Sequence, residues 1–350
     1  MREYGSEHPA VVLPDGYFDS LSALGRDAVF LRSGREALLL AAKSVNCSTR
    51  VILFPAYCCW SMSAPFEMAG WRVVYYRLNE DLTVDIDYLK DLIAGSGADA
   101  VLTMNFYGSA STDAAVSLAK SYGLIVIEDF SHCTFSLKKI FNPDVDIYIS
   151  SIRKSVGVCD GAILLSKKPM PKQYIEGADP EFFERRYSAQ TDKRRYSLSK
   201  NQKCKDSFLG EIRACEGILN EFDSVRSISA MGLKMLSMLN GEEIAYARRE
   251  NMRHLMALLD GKVPMIRGIE CCLDGAPFSL PVLVENRDEV QRKLAAAGVY
   301  APVLWPICEN ARKVCDVSAM ISDCMLSIPV DQRYDWDDME EIAHRIIEIV

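Results

Sequence analysis

Ile125-Val126-Ile127-Glu128-Asp129-Phe130-Ser131-His132 carries three β-branched apolar residues straight into two carboxylates, followed closely by a hydroxyl and an imidazole. β-Branched side chains favour strands, and so short an apolar run between helical stretches suits a strand buried on both faces. A second such run is Ile147-Tyr148-Ile149-Ser150-Ser151-Ile152-Arg153-Lys154, which ends in hydroxyls and a lysine before Gly157 and Asp160-Gly161. In open α/β sheets, ligands gather outside the carboxyl ends of the strands. Polar residues that close an apolar run are therefore the first candidates for chemistry.

Outward from these two runs, strand-like segments at 51–54, 72–78, 98–104, 124–129, 147–151 and 162–166 alternate with helical spacing at 36–45, 60–69, 85–93 and 112–122. The alternation predicts parallel strands joined by crossover helices, hence an α/β core. Residues 174–205 are dense in charge and aromatics without a strand signal, and an exposed loop or helical excursion is expected there. Helical periodicity returns over 209–222 and from 228 to 260. A strand-like 278–284, a helix over 288–297, a strand-like 301–305 and a closing helix over 336–349 complete a smaller α+β unit. The expected division is a large domain over 1–225 and a small C-terminal domain over 226–350.

At 350 residues, 49% of them hydrophobic and 25% charged, the chain can bury a core large enough for two domains. A formal net charge of −8 and only short basic clusters, such as Lys193-Arg194-Arg195, give no electrostatic reason to expect nucleic acid. No apolar run approaches the roughly 20 residues that span a bilayer. The opening MREYGSEHPA lacks the layout of a secretion signal, so a cytoplasmic protein without membrane contact is expected. Twelve cysteines, including the vicinal pairs Cys58-Cys59 and Cys271-Cys272, are scattered through a large apolar chain and read as reduced, mostly buried thiols. They form no C-x-x-C pair and the four histidines are far apart, so no metal is expected.

A third motif is Arg32-Ser33-Gly34-Arg35-Glu36-Ala37-Leu38. Here Ser33 can cap and Gly34 can open a helix whose free N–H groups suit a phosphate. Taken alone it is a helix start. Neither G-x-G-x-x-G nor G-x-x-x-x-G-K-[ST] occurs, which disfavours dinucleotide and P-loop sites. A carboxylate at a buried strand end is costly unless paired. Asp129 answers either to a protonated ring nitrogen or to a helix that it caps. A lysine after a strand is usually a solvated charge, but a partly desolvated one becomes a nucleophilic amine.

In this order, Gly34, Asp129 and Lys154 resemble the aspartate aminotransferase superfamily. The closer resemblance is to the DegT family of sugar aminotransferases, which use pyridoxal 5′-phosphate (PLP). The family's S-G-[TR]-x-A-L, P-A-Y, E-D-x-x-[QH] and lysine-then-glycine motifs read here as Ser33-Gly34-Arg35-Glu36-Ala37-Leu38, Pro55-Ala56-Tyr57, Glu128-Asp129-Phe130-Ser131-His132 and Lys154 to Gly161. Asn105-Phe106-Tyr107-Gly108, Leu304-Trp305-Pro306 and Ile328-Pro329-Val330-Asp331-Gln332-Arg333-Tyr334 extend the similarity over most of the chain.

The resemblance implies PLP fold type I, with a mostly parallel seven-stranded sheet flanked by helices and a smaller C-terminal α+β domain. It implies a homodimeric aminotransferase that moves an amino group from an amino acid, glutamate, to a keto-sugar that is nucleotide-linked. Residue by residue, it implies Lys154 as the Schiff-base lysine and proton shuttle, and Asp129 as partner of the pyridine nitrogen. His132 would touch the phenolic oxygen, and Ser151 would bind phosphate beside the backbone of Gly34 and Arg35. The family stacks an aromatic side chain on the ring near Tyr57, but the matching position is Cys59, with Trp60 next to it, so all three are candidates. A second departure is Ser224-Val225-Arg226-Ser227, where the family has Asn-x-Arg-Met and the asparagine reaches the neighbouring subunit's phosphate; Ser224 would do so over a shorter reach. Cys59 and Ser224 keep open a PLP-fold protein that has lost turnover and serves as a sensor or binding module. A PLP-dependent sugar dehydratase is disfavoured, because the family's dehydratases carry histidine in place of the lysine. Arg185, Arg186, Arg194 and Arg195 offer guanidinium forks to a sugar-linked diphosphate, with a solvated loop as the plainer reading.

Overall fold

A computed structural model describes residues 3–5, 17–18, 24–108, 111–221, 223–270 and 275–350. His8, Phe222, the Cys271-Cys272 pair and most of the opening ten residues fall outside the described residues. The first strands are β1 (Tyr4–Gly5), β2 (Asp27–Leu31), β3 (Val51–Pro55), β4 (Arg72–Tyr76), β5 (Ala100–Met104), β6 (Ile125–Asp129), β7 (Ile147–Ser150) and β8 (Ala162–Ser166). Seven of them form one sheet in the order β2-β8-β7-β6-β5-β3-β4. Strands β4, β3, β5, β6 and β7 are mutually parallel, while β8 runs antiparallel to both β7 and β2. The α/β expectation and the seven-stranded, mostly parallel sheet are thus both met. Because β8 alone is reversed, Leu31, Pro55, Met104, Asp129 and Ser150 all end their strands at the same edge.

Strands β3, β5 and β8 are buried at every position, as expected of apolar runs covered on both faces. The cover includes α1 (Gly34–Ser44), α2 (Trp60–Met68), α3 (Ile86–Ser96) and α4 (Asp113–Ser121). Ser33 caps α1 by accepting the Glu36 N–H at 3.4 Å, and Asp85 caps α3 by accepting the Tyr88 N–H at 3.0 Å. After the short α5 (Leu137–Ile140), the charged stretch proves helical. A two-residue strand, β9 (Ile175–Glu176), leads into α6 (Pro180–Ser199) and α7 (Gln202–Asn220), which pack against each other. Their apolar contacts gather in two small clusters, Phe182 with Cys215 and Leu219, and Ala189 with Tyr196 and Phe208.

Strand β10 (Val225–Arg226) pairs with β9 and is followed by α8 (Ala230–Ser237) and α9 (Gly241–Leu259). The single helical run expected over 228–260 is therefore two helices. The break is chemical: the Asn240 side chain accepts the Glu243 N–H at 3.2 Å. Gly241 is pressed so closely on Tyr17 that a Cβ there would lie 2.2 Å from the ring. Strands β11 (Ser279–Leu283), β12 (Val299–Tyr300) and β13 (Met325–Pro329) alternate with α10 (Arg287–Ala296), α11 (Glu309–Val314) and α12 (Asp316–Cys324), and α13 (Trp336–Ile349) closes the chain. β11 and β13 pair antiparallel, and β12 pairs parallel with β1.

The strand expected over 301–305 is a loop. Pro302 and Pro306 have no N–H to give a ladder, and the carbonyls of Ala301, Leu304 and Trp305 accept from Gln291, Tyr57 and Ser322 instead. One contiguous buried cluster joins the sheet to the C-terminal elements, taking in Leu31, Leu102, Leu255, Ile328 and Ile346. The described cysteines are free, and no helix among the described residues is long and apolar enough to cross a membrane.

Candidate active site

Successive residues of a strand face opposite sides of the sheet, and this separates the two carboxylates at the end of β6. Glu128 is 1% exposed and accepts from the Thr112 hydroxyl at 2.6 Å and the Thr103 hydroxyl at 3.3 Å. Burial pushes its pKa up to about 7 against the pull of those hydrogen bonds. Asp129 accepts the Ser131 N–H at 2.8 Å and lines a small cleft at the sheet edge.

Lys154 ends a short helical turn, Ile152–Lys154, directly after β7. It stands between two clefts. The small one is lined by Ser33, Gly34, Arg35, Asp129, Ser131 and Ser151 among others, and the larger, of about 270 Å³, by His132, Arg248, Phe278, Trp305, Asp331 and Arg333 among others; Arg153 borders both. The lysine turn is gripped from several sides. Arg153 donates its N–H to the Gly161 carbonyl at 3.2 Å and its guanidinium to Glu216 of α7 at 2.8 Å. The Ser155 carbonyl accepts from Arg248 of α9 at 2.8 Å and from Gln332 at 3.0 Å, and the Val158 carbonyl accepts from Gln190 of α6 at 3.1 Å.

At the small cleft, Gly34 opens α1 against Ser151. A Cβ at Gly34 would lie 2.9 Å from the Ser151 Cβ, so the close approach requires glycine. Ser151 donates its N–H to the Ser131 hydroxyl at 2.9 Å. Arg35 reaches Glu216 at 3.3 and 3.4 Å, and its Nε is buried without a partner. Burial lowers the pKa of Arg35; Glu216 opposes the shift and the like charge of Arg153 adds to it. For Glu216, burial acts upward but Arg153, Arg35 and Arg186 outweigh it and bring the carboxyl to about 2.

His132 is stacked between Phe278, at 4.6 Å between ring centres, and Trp305, at 5.1 Å. Burial, helped by the charge on Lys154, holds its pKa well below the ordinary histidine value, so the ring is neutral. Its Nδ1 accepts the Tyr107 N–H at 3.4 Å, which leaves the proton on Nε2.

Six of the residues singled out in the sequence therefore border the two clefts: Gly34, Arg35, Asp129, His132, Ser151 and Lys154. Tyr57, Cys59, Trp60 and Ser224 do not line either cleft. The Tyr57 hydroxyl donates to the Leu304 carbonyl, Cys59 contacts the Ser61 hydroxyl at 3.1 Å, and Trp60 is 56% exposed. On α6, Arg185 pairs with Glu181 and Glu211, Arg195 pairs with Asp192, Arg194 is exposed and Arg186 is buried. Arg153, Glu216, Arg248 and Phe278 enter the site or its supports without having been singled out. Arg153 is visible beside the lysine, but Glu216 lies in an ordinary helical stretch and only tertiary packing reveals it.

The residues fit a cofactor that carries a phosphate, a basic ring nitrogen and an aldehyde. A helix N-terminus with guanidinium groups stands beside Ser151, a buried carboxylate lines the same cleft, and a primary amine borders it. Residues 23–138 match the model of the DegT/DnrJ/EryC1/StrS aminotransferase family. The fold is similar to that of PseC from Helicobacter pylori, an aminotransferase involved in the biosynthesis of pseudoaminic acid (14% identity, 99% of each chain covered, TM-score 0.68). It is also similar to DesI, solved in the presence of its TDP-sugar product (15% identity, 99% of this chain and 93% of that one, TM-score 0.68). A third is DesV of S. venezuelae, solved in complex with a ketimine intermediate (17% identity, 92% of this chain and 84% of that one, TM-score 0.64). No curated protein matches the chain. The resemblance read from the residues is met by that family-model match over residues 23–138, on a fold similar to that of PseC.

Proposed function

We propose that the chain is a PLP-dependent aminotransferase that takes an amino group from glutamate and delivers it to a nucleotide-linked keto-sugar, working as a homodimer. The observation that carries this reading is the position of Lys154, which borders both a cleft suited to a phosphate and ring nitrogen and a larger cleft able to admit a substrate. The family match, and the TDP-sugar product in whose presence DesI was solved, support the substrate class.

When bound, pyridoxal phosphate supplies an aldehyde and an electron-withdrawing ring. Ser151 and the first N–H groups of α1 would hold its phosphate, and Asp129 would hold a proton on its ring nitrogen. His132, neutral and protonated on Nε2, would offer that N–H to the phenolic oxygen. The Lys154 amine, once free, would carry the proton between the α-carbon of the donor and the cofactor carbon that bore the aldehyde. Phe278 and Trp305 clamp His132 from both sides and fix the direction of its N–H. Arg248 and Gln332, both on the Ser155 carbonyl, fix the backbone that carries the lysine.

The test begins with reduction of the PLP-loaded protein by borohydride, which should fix the cofactor on Lys154. It continues with glutamate and a panel of nucleotide-linked keto-sugars, wild type against Lys154→Ala. Amino-sugar formed by wild type alone is the expected result; a fixed cofactor without any transfer would leave the binding-module reading in its place.

A further inference from the structure

We propose that the side chains of Arg35 and Arg153, held apart from their ligand by Glu216, form the phosphate-recognition site for the cofactor, and that Glu216 competes with the phosphate for them. This rests on the PLP reading above and adds what the cup is made of: guanidinium groups from the chain's own α1 and lysine turn, gated by a carboxylate from the α6–α7 hairpin.

The two side chains meet the same carboxylate, Arg153 at 2.8 Å and Arg35 at the longer 3.3 and 3.4 Å. Both line the small cleft together with Ser33, Gly34, Ser131 and Ser151. Arg186, 1% exposed, adds a third positive charge near Glu216. The other charged groups on this cleft are Lys154 and Asp129, which offset each other. Arg35 and Arg153 thus share one carboxylate beside the cleft that holds the start of α1. A phosphate monoester brings about 1.5 to 2 negative charges at neutral pH, more than the single charge of Glu216. It is also flat-sided enough for guanidinium forks to grip through paired N–H groups.

Two further features point the same way. Arg35 leads out of the first turn of α1, so its backbone N–H and its guanidinium belong to one anion-facing surface. Its Nε is a buried donor without a partner, which an incoming oxygen would satisfy. Glu216 projects from α7, a helix far from α1 and the lysine turn in sequence. Its presence there is accounted for by the arginines it holds, and it gives them up to a stronger anion.

The experiment titrates PLP and its phosphate-free analogue pyridoxal into wild type, Arg35→Gln, Arg153→Gln and Glu216→Gln, reading the absorbance of the lysine-bound chromophore and the borohydride-fixed adduct by mass. Arg35→Gln and Arg153→Gln should each weaken PLP by ten-fold or more while leaving pyridoxal within about two-fold. Glu216→Gln should bind PLP more tightly than wild type, without a matching gain for pyridoxal. Unchanged PLP affinity in both arginine variants would overturn the proposal. So would an equal loss for PLP and pyridoxal, or weaker PLP binding by Glu216→Gln. If wild type itself fixes neither aldehyde, the cofactor reading fails as a whole, an outcome distinct from adducts that form with an unaltered preference.

Discussion

Replacing Glu128 by Gln separates the two carboxylates of β6 by a measurable sign. Glu128 is buried among Thr103 and Thr112, and burial lifts its pKa from 4.5 to about 7. A carboxyl whose folded pKa is raised favours the folded state while protonated. That stability is complete below the unfolded value, near 4.5, and is lost as pH rises through 7. The displacement corresponds to roughly 3 kcal/mol. Glutamine cannot ionise and keeps an acceptor for the threonine hydroxyls, so Glu128→Gln escapes the loss. Urea unfolding of the cofactor-free proteins at intervals from about pH 5 to 8 should show the variant gaining on wild type across that window, by up to about 3 kcal/mol at the alkaline end. The variant should still fix PLP on Lys154, because Asp129, not Glu128, borders the cleft. Stability curves that run parallel in pH would refute the burial argument, and a loss of PLP binding would refute the separation of roles.

Two other substitutions probe the supports of the site. Gly34→Ala puts a methyl group 2.9 Å from the Ser151 Cβ, so α1 or Ser151 must shift. A stability loss of about 1 to 3 kcal/mol, with weaker PLP binding by titration, is expected. Arg248→Met leaves the carbonyls of Ser155, Pro277 and Phe278 without their guanidinium donor. Urea unfolding should register a loss of about 3 kcal/mol, together with slower borohydride fixation of PLP as the lysine turn loosens.

What could be read in the chain follows from how local each signal is. The ends of β6 and β7 were legible because β-branched runs stop at polar residues within a few positions. Asp129, Ser151 and Lys154 came with them, and Gly34 was legible separately as a helix start. The helicity of α6 was obscured because its charges run all around it, including Arg186, which the fold buries. The break at Asn240-Gly241 was open to reading as an Asn cap, yet what fixes it is contact with the distant Tyr17. The loop over 301–305 has strand-like composition, and its carbonyls are taken by Gln291, Tyr57 and Ser322. Glu216 had no local signal at all, since its meaning lies in Arg35 and Arg153, far away in sequence. Tyr57, Cys59, Trp60 and Ser224 entered by resemblance alone, and none of them borders the clefts.

The most direct measurement is peptide mass mapping of the protein after incubation with PLP and reduction by borohydride, wild type beside Lys154→Ala. A single phosphopyridoxyl group on the peptide containing Lys154, absent from the variant, is the expected result. A reduced adduct spread over other lysines, or equally present in Lys154→Ala, would contradict the assignment of Lys154 and the aminotransferase function built on it.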